Sequence, residues 1–129
     1  MLEIDYQISP QSLLPELKTM FEHAGQKITA IKQQWNPEQG APVFTENGKY
    51  TTRGWTEWTQ GFQFGCAILQ FDATGDKSFL NYGREKTVAL MAPHVSHIGV
   101  HDHGFNNVST YGNLLRLMLE GSIVENEEE

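Results

Sequence analysis

Glu57-Trp58-Thr59-Gln60-Gly61-Phe62-Gln63-Phe64-Gly65-Cys66-Ala67-Ile68-Leu69-Gln70-Phe71 spreads apolar side chains around most of a helix's circumference. A helix apolar on nearly every side belongs inside a structure, covered by other helices. Gly61 and Gly65 recur one turn apart, so they mark one face for close approach by a neighbour or a ligand.

Downstream, Thr74-Gly75-Asp76 reads as a turn with Asp76 as the N-cap of a third helix. That helix runs to about Met91, with Phe79, Leu80, Gly83, Thr87, Leu90 and Met91 inward, and stops before Pro93. His94 to Gly104 reads as a histidine-rich loop. A last helix follows from about Asn107 to Glu120, with Val108, Tyr111, Leu115 and Met118 as its seam and Gly121 at its C-cap. Upstream, Asn36 to Arg53 is crowded with turn signals: Asn36-Pro37, Gly40, Pro42 and Asn47-Gly48. Val43-Phe44-Thr45 and Lys49-Tyr50-Thr51-Thr52 are short extended pieces around that Asn-Gly turn. Before them, Leu14, Leu17, Phe21, Ala24, Ile28, Ile31 and Trp35 form one apolar seam of a long helix that begins near Ser12. The reading is all-α: two helical hairpins, about four main helices, one domain over residues 1–121 and an acidic tail over 122–129.

The 129 residues suit one domain. Nine Lys and Arg against sixteen Asp and Glu give a net charge of −7, and no segment holds the basic stripe of a nucleic-acid binder. An anionic membrane surface is disfavoured on the same ground. No run approaches the ~20 apolar residues that cross a bilayer, and the acidic start lacks the features of a secretory signal. Cys66 is the single cysteine, which fits a reducing compartment; the expected location is cytoplasmic.

Three clusters rise above a plain helical domain. Trp55-Thr56-Glu57-Trp58-Thr59-Gln60-Gly61-Phe62 offers two tryptophans that serve either as core anchors or as an apolar platform for a sugar face. His94, His97, His101, Asp102 and His103 lie within ten residues. They match no closed metal site, and at most two of His101, Asp102 and His103 converge, although a set of His97, His101, Asp102 and His103 remains a metal-binding alternative. Asp102, between two histidines and just before a helix, is a cap, an acid or a base.

Taken in series, Trp58-Thr59-Gln60-Gly61-Phe62, Gly65, Phe71-Asp72-Ala73-Thr74-Gly75-Asp76 and His101-Asp102-His103-Gly104-Phe105 resemble the N-terminal signature of the unsaturated glucuronyl hydrolases and the related unsaturated rhamnogalacturonyl hydrolases. The likeness runs from about Gly48 to Gly121. It implies an (α/α)6 toroid, six helical hairpins around a sugar cleft, of which this chain would hold about a third. It also implies metal-free, cofactor-free chemistry on an oligosaccharide ending in an unsaturated uronic acid. The C4=C5 double bond is protonated, water adds at C5, and the hemiketal collapses to release the next sugar. Asp102 matches the family's first active-site aspartate, His101 a substrate-contacting histidine and Trp58 a stacking tryptophan.

His103 stands where the family has Leu or Ile. It adds an ionisable ring to the substrate-binding set, and an imidazolium there would favour ionised Asp102. The family's main proton donor sits on a later helix, so a chain of this length is expected to be a truncated hydrolase without a complete catalytic pair. A helical carbohydrate-binding or protein-interaction module is the alternative. An inner-ring helix without its neighbours would expose a large apolar patch, so a symmetric dimer burying the second-helix and fourth-helix faces is expected.

Overall fold

The computed structural model describes residues 5–124. Helix α1 (Leu14–Gln34) follows a 3-10 turn and carries Pro15 in its first turn, where a missing N–H costs nothing. It ends at Trp35, whose Nε1 donates to the Gly40 carbonyl at 2.9 Å. The expected seam is only partly covered. Gly25 is the one buried residue of α1, Ala24, Ile28 and Ile31 are half-buried, and Leu14 and Leu17 lie exposed. The contact is made at mid-helix, where Gln70 Nε2 donates to the Phe21 carbonyl at 2.9 Å, and the first turns overhang.

The all-α reading is corrected by an antiparallel hairpin, β1 (Ala41–Glu46) with β2 (Lys49–Arg53), in an otherwise mainly helical chain. Asn47 and Gly48 have φ of 51° and 76°, the pair of positive values that a two-residue turn of this twist requires. The register runs from Ala41 opposite Arg53 to Glu46 opposite Lys49, with an irregularity between Pro42 and Phe44. Trp35 meets Tyr50 edge-on and so ties the hairpin to the end of α1.

Helix α2 (Thr59–Thr74) is the centre of the molecule. Asp76 caps α3 (Lys77–Leu90) as expected, its Oδ1 accepting from the Ser78 amide at 2.8 Å. The segment read as a histidine loop holds a short helix, α4 (Ala92–Ser96), and its last residues already belong to α5 (His103–Asn107). A π-helical turn, Val108–Gly112, joins α5 to α6 (Asn113–Leu119), so the final helix starts before the expected Asn107. Gly121, at φ 71°, stops it: the Ser122 amide reaches back to the Leu117 carbonyl at 2.9 Å.

The last helix is one residue out of phase with the sequence reading. Asn106, Thr110, Leu114 and Leu117 face inward, while Val108 and Leu115 point out. Close approach explains it. A Cβ on Gly61 would collide with the Asn106 backbone, and one on Gly65 would lie 2.5 Å from the Ser109 carbonyl oxygen. The buried positions on that side are held by the polar Asn106 and Thr110, and an apolar-periodicity argument passes over them. The pairing order, Gly61 with Asn106, Gly65 with Ser109 and Asp72 with Arg116, shows that α2 and the last helix run parallel. Helix α3 returns antiparallel between them in sequence. Its Leu80 joins Ile68, Phe71, Leu114 and Leu117 in one core cluster, and its Tyr82 joins Phe64, Ala67 and Met91 in another.

The apolar circumference of α2 is therefore covered largely from within the chain, leaving Phe62, Cys66 and Leu69 outward. The last helix keeps an exposed row of Phe105, Val108, Leu115 and Leu119. Among the described residues no helix is long and apolar enough to cross a membrane. Residues 1–4 of the acidic start and 125–129 of the expected tail lie outside the described residues.

Candidate functional site

Asn106, fully buried, organises one end of the bundle. Its Oδ1 accepts from the Gly61 amide at 2.6 Å, satisfying a donor in the first turn of α2 that has no intrahelical partner. Its Nδ2 donates to the Glu57 carbonyl at 3.0 Å and to the Asp102 carbonyl at 3.3 Å. One side chain thus clamps the entry of α2, which bears Trp58, to the start of α5, which follows Asp102. Nothing in the Phe105-Asn106-Asn107 run marks this residue in the sequence. Only the contact with Gly61 does.

On this clamp sit two of the expected site residues. Asp102 occupies the N-cap position of α5, yet its side chain accepts no backbone N–H, so the carboxylate is not used as a cap. Oδ1 lies 3.4 Å from Nε2 of His101, and the two side chains are 28% and 91% exposed respectively. Trp58 stands at the N-cap of α2, half out in solvent, with its ring edge-on to Phe62 at 5.3 Å and tilted to Phe105 at 6.4 Å. Trp58, Phe62 and Phe105 form one exposed aromatic surface at the end of the bundle where Asp102 lies.

His103 goes elsewhere. Expected to face a substrate, it is buried with both ring nitrogens engaged: Nδ1 lies 2.8 Å from Nδ1 of His94, and Nε2 lies 2.7 Å from Nδ1 of His97. Nε2 of His94 reaches Oε1 of Gln60 at 3.3 Å. Trp55 roofs the trio, stacked on His103 at 5.7 Å and edge-on to His94 and His97. The two tryptophans, exposed to about the same degree, meet different neighbours, Trp58 beside Phe62 and Phe105 and Trp55 over the histidines. Burial, with the neighbouring His103 and His97 rings, pulls the His94 pKa below the ordinary histidine value.

The metal-binding set does not assemble. His97 and His103 point at each other while His101 turns outward to Asp102, and among the described residues no three His, Cys, Asp or Glu side chains form a group able to hold a metal ion. No family model, curated protein or solved structure matches this chain.

Proposed function

We propose that the chain carries part of the saccharide cleft of an unsaturated-uronyl hydrolase of the glucuronyl or rhamnogalacturonyl type. Trp58, with Phe62 and Phe105, supplies the face on which a sugar ring stacks; Asp102 is the active-site carboxylate and His101 a substrate contact. His103 is a positioning residue in this reading, holding the segment from His94 to Asp102 beneath Trp55. The observation that carries the proposal is the Asn106 clamp. It brings the Trp58 and Asp102 segments to one end of two parallel helices, with aromatic rings and a half-exposed carboxylate left open there. Parallel inner helices alternating with antiparallel outer ones are also what a toroid of helical hairpins contains. The exposed row on the last helix is the surface this proposal assigns to association, with a further copy or hairpin.

The test is titration with a disaccharide capped by a C4=C5 unsaturated uronic acid, followed by tryptophan fluorescence and by loss of the enol-ether absorbance. Binding that falls about tenfold in Trp58→Ala is expected, since about 50 Å² of apolar surface buried between ring and sugar face is worth roughly 1 kcal/mol or somewhat more. Turnover abolished by Asp102→Asn would make the site catalytic, and binding without turnover would favour the carbohydrate-binding module. No binding at millimolar ligand overturns both.

A further inference from the structure

Phe105, Val108, Leu115 and Leu119, from 51% to 80% exposed, run along the outer face of the last helix. Gly112 completes the row, whose members recur at alternating intervals of three and four, the spacing of an apolar seam between paired helices. Nothing inside the chain accounts for that glycine. Its φ of −61° and ψ of −43° are ordinary helical values. The atoms nearest a Cβ built there belong to its own helix, Asn107 at 3.6 Å and Val108 at 3.8 Å. Glycine inside a helix is destabilising relative to alanine. Gly61, Gly65 and Gly83 offset this by letting a neighbouring helix come close, and Gly112 offers the same approach on the open side.

Charge is missing from this face. From Gly104 to Leu119 the sequence holds one charged residue, Arg116, in a chain that is 19% charged, and its guanidinium is turned to Asp72 and Glu120. Two copies with a net charge of −7 repel unless they meet where neither presents a carboxylate. The row is also balanced about its middle. Phe105 and Val108 precede Gly112, Leu115 and Leu119 follow it, and the two ends lie equally far from it. A face balanced about one point matches itself when reversed, as a two-fold axis requires.

We infer that two copies of this chain pair through this row. Their last helices run antiparallel and cross at Gly112, so that Phe105 and Val108 of one copy lie against Leu115 and Leu119 of the other. The four side chains present roughly 500 Å² per copy, so pairing buries roughly the 1,000 Å² that a specific interface must clear. A dimer of that size is reversible and forms over micromolar concentrations. The inference commits the association assigned above to one partner and does not require a sugar at Trp58.

Molar mass would be measured by light scattering on the intact chain, diluted from about 300 μM to about 1 μM. A change from two chain masses to one is expected across that range. Leu115→Glu and Gly112→Leu, each checked by circular dichroism for an unchanged fold, should raise the dissociation constant about thirtyfold or more, as loss of a central anchor does. Leu69→Glu, at an exposed position of α2 facing the α1 side, should leave it unchanged. In a Cys66→Ala background, oxidation should cross-link two copies through Gly112→Cys but not through Leu119→Cys, because reversal sets those ends apart. Cross-linking through both overturns the antiparallel pairing. A single-chain mass throughout the series overturns the inference, as does a dimer indifferent to Leu115→Glu and Gly112→Leu. A monomer that binds the unsaturated disaccharide would sink only the pairing, and a dimer that binds none would sink only the saccharide reading.

Discussion

The two flanks of α2 are built on opposite plans. Toward the last helix, glycines bring backbones together, Asn106 bonds across the seam and Arg116 closes its far end on Asp72 at 2.7 Å. Toward α1, larger side chains hold the helices apart. Gln70 makes a hydrogen bond across that gap to the Phe21 carbonyl, and open grooves run along α1. The first flank leaves room for one arrangement, whereas the second leaves space unfilled along α1. Tight helix packing depends on what is absent from a side chain as much as on what it buries.

The sharpest way to break this contrast is Gly61→Ala. Its methyl group would strike the Asn106 backbone, which has no rotamer to yield, and a loss of about 3 kcal/mol in chemical denaturation is expected, at the upper end for overpacking. Acid should come next and should act at the clamped end. The His94 pKa is lowered in the folded protein, so below the ordinary histidine value of about 6.5 the unfolded chain binds more protons. Stability contributed by neutral His94 is thus present above that value and lost as pH falls through the window beneath it. Thermal midpoints measured across that range should decline on acidification, and the decline should be shallower in His94→Gln. The smallest effect belongs to the loose flank. A Cβ on Gly25 would meet Nε2 of Gln70 at 3.0 Å, so that amide must give by a few tenths of an ångström within its bond to the Phe21 carbonyl, and the helix preference of Ala, about 1 kcal/mol over Gly, offsets that displacement. Gly25→Ala should shift stability by less than about 0.5 kcal/mol. A large loss there would mean that α1 is held as firmly as the last helix.

What the sequence disclosed follows the same division. Period and punctuation placed α1, α2 and α3, the Asp76 cap, the Gly121 stop and the Asn47-Gly48 turn, because each is written in local residue chemistry. Gly61 and Gly65 announced a close approach without naming the partner. The all-α reading failed at the hairpin although its two extended pieces and turn were visible, since whether such pieces pair is decided by contacts with α1 and α2. The phase of the last helix was misread because Asn106 and Thr110 are polar residues in core positions. Of the expected site, Trp58, His101 and Asp102 came out on one end of the bundle. His103 did not, because the rings that claim it, His94 and His97, are joined to it only by the fold.

That row of rings has a direction. Oε1 of Gln60 can only accept, so His94 keeps its proton on Nε2 and presents a bare Nδ1. His103 must then donate from Nδ1 and accept at Nε2, and His97 must donate from Nδ1. Every tautomer is fixed from the buried end outward, and the last lone pair, on Nε2 of His97, belongs to a ring at the surface. The donors of the row therefore all point inward, from the exposed His97 to the buried Gln60 carbonyl, and turning His103 or His94 over breaks two links at once.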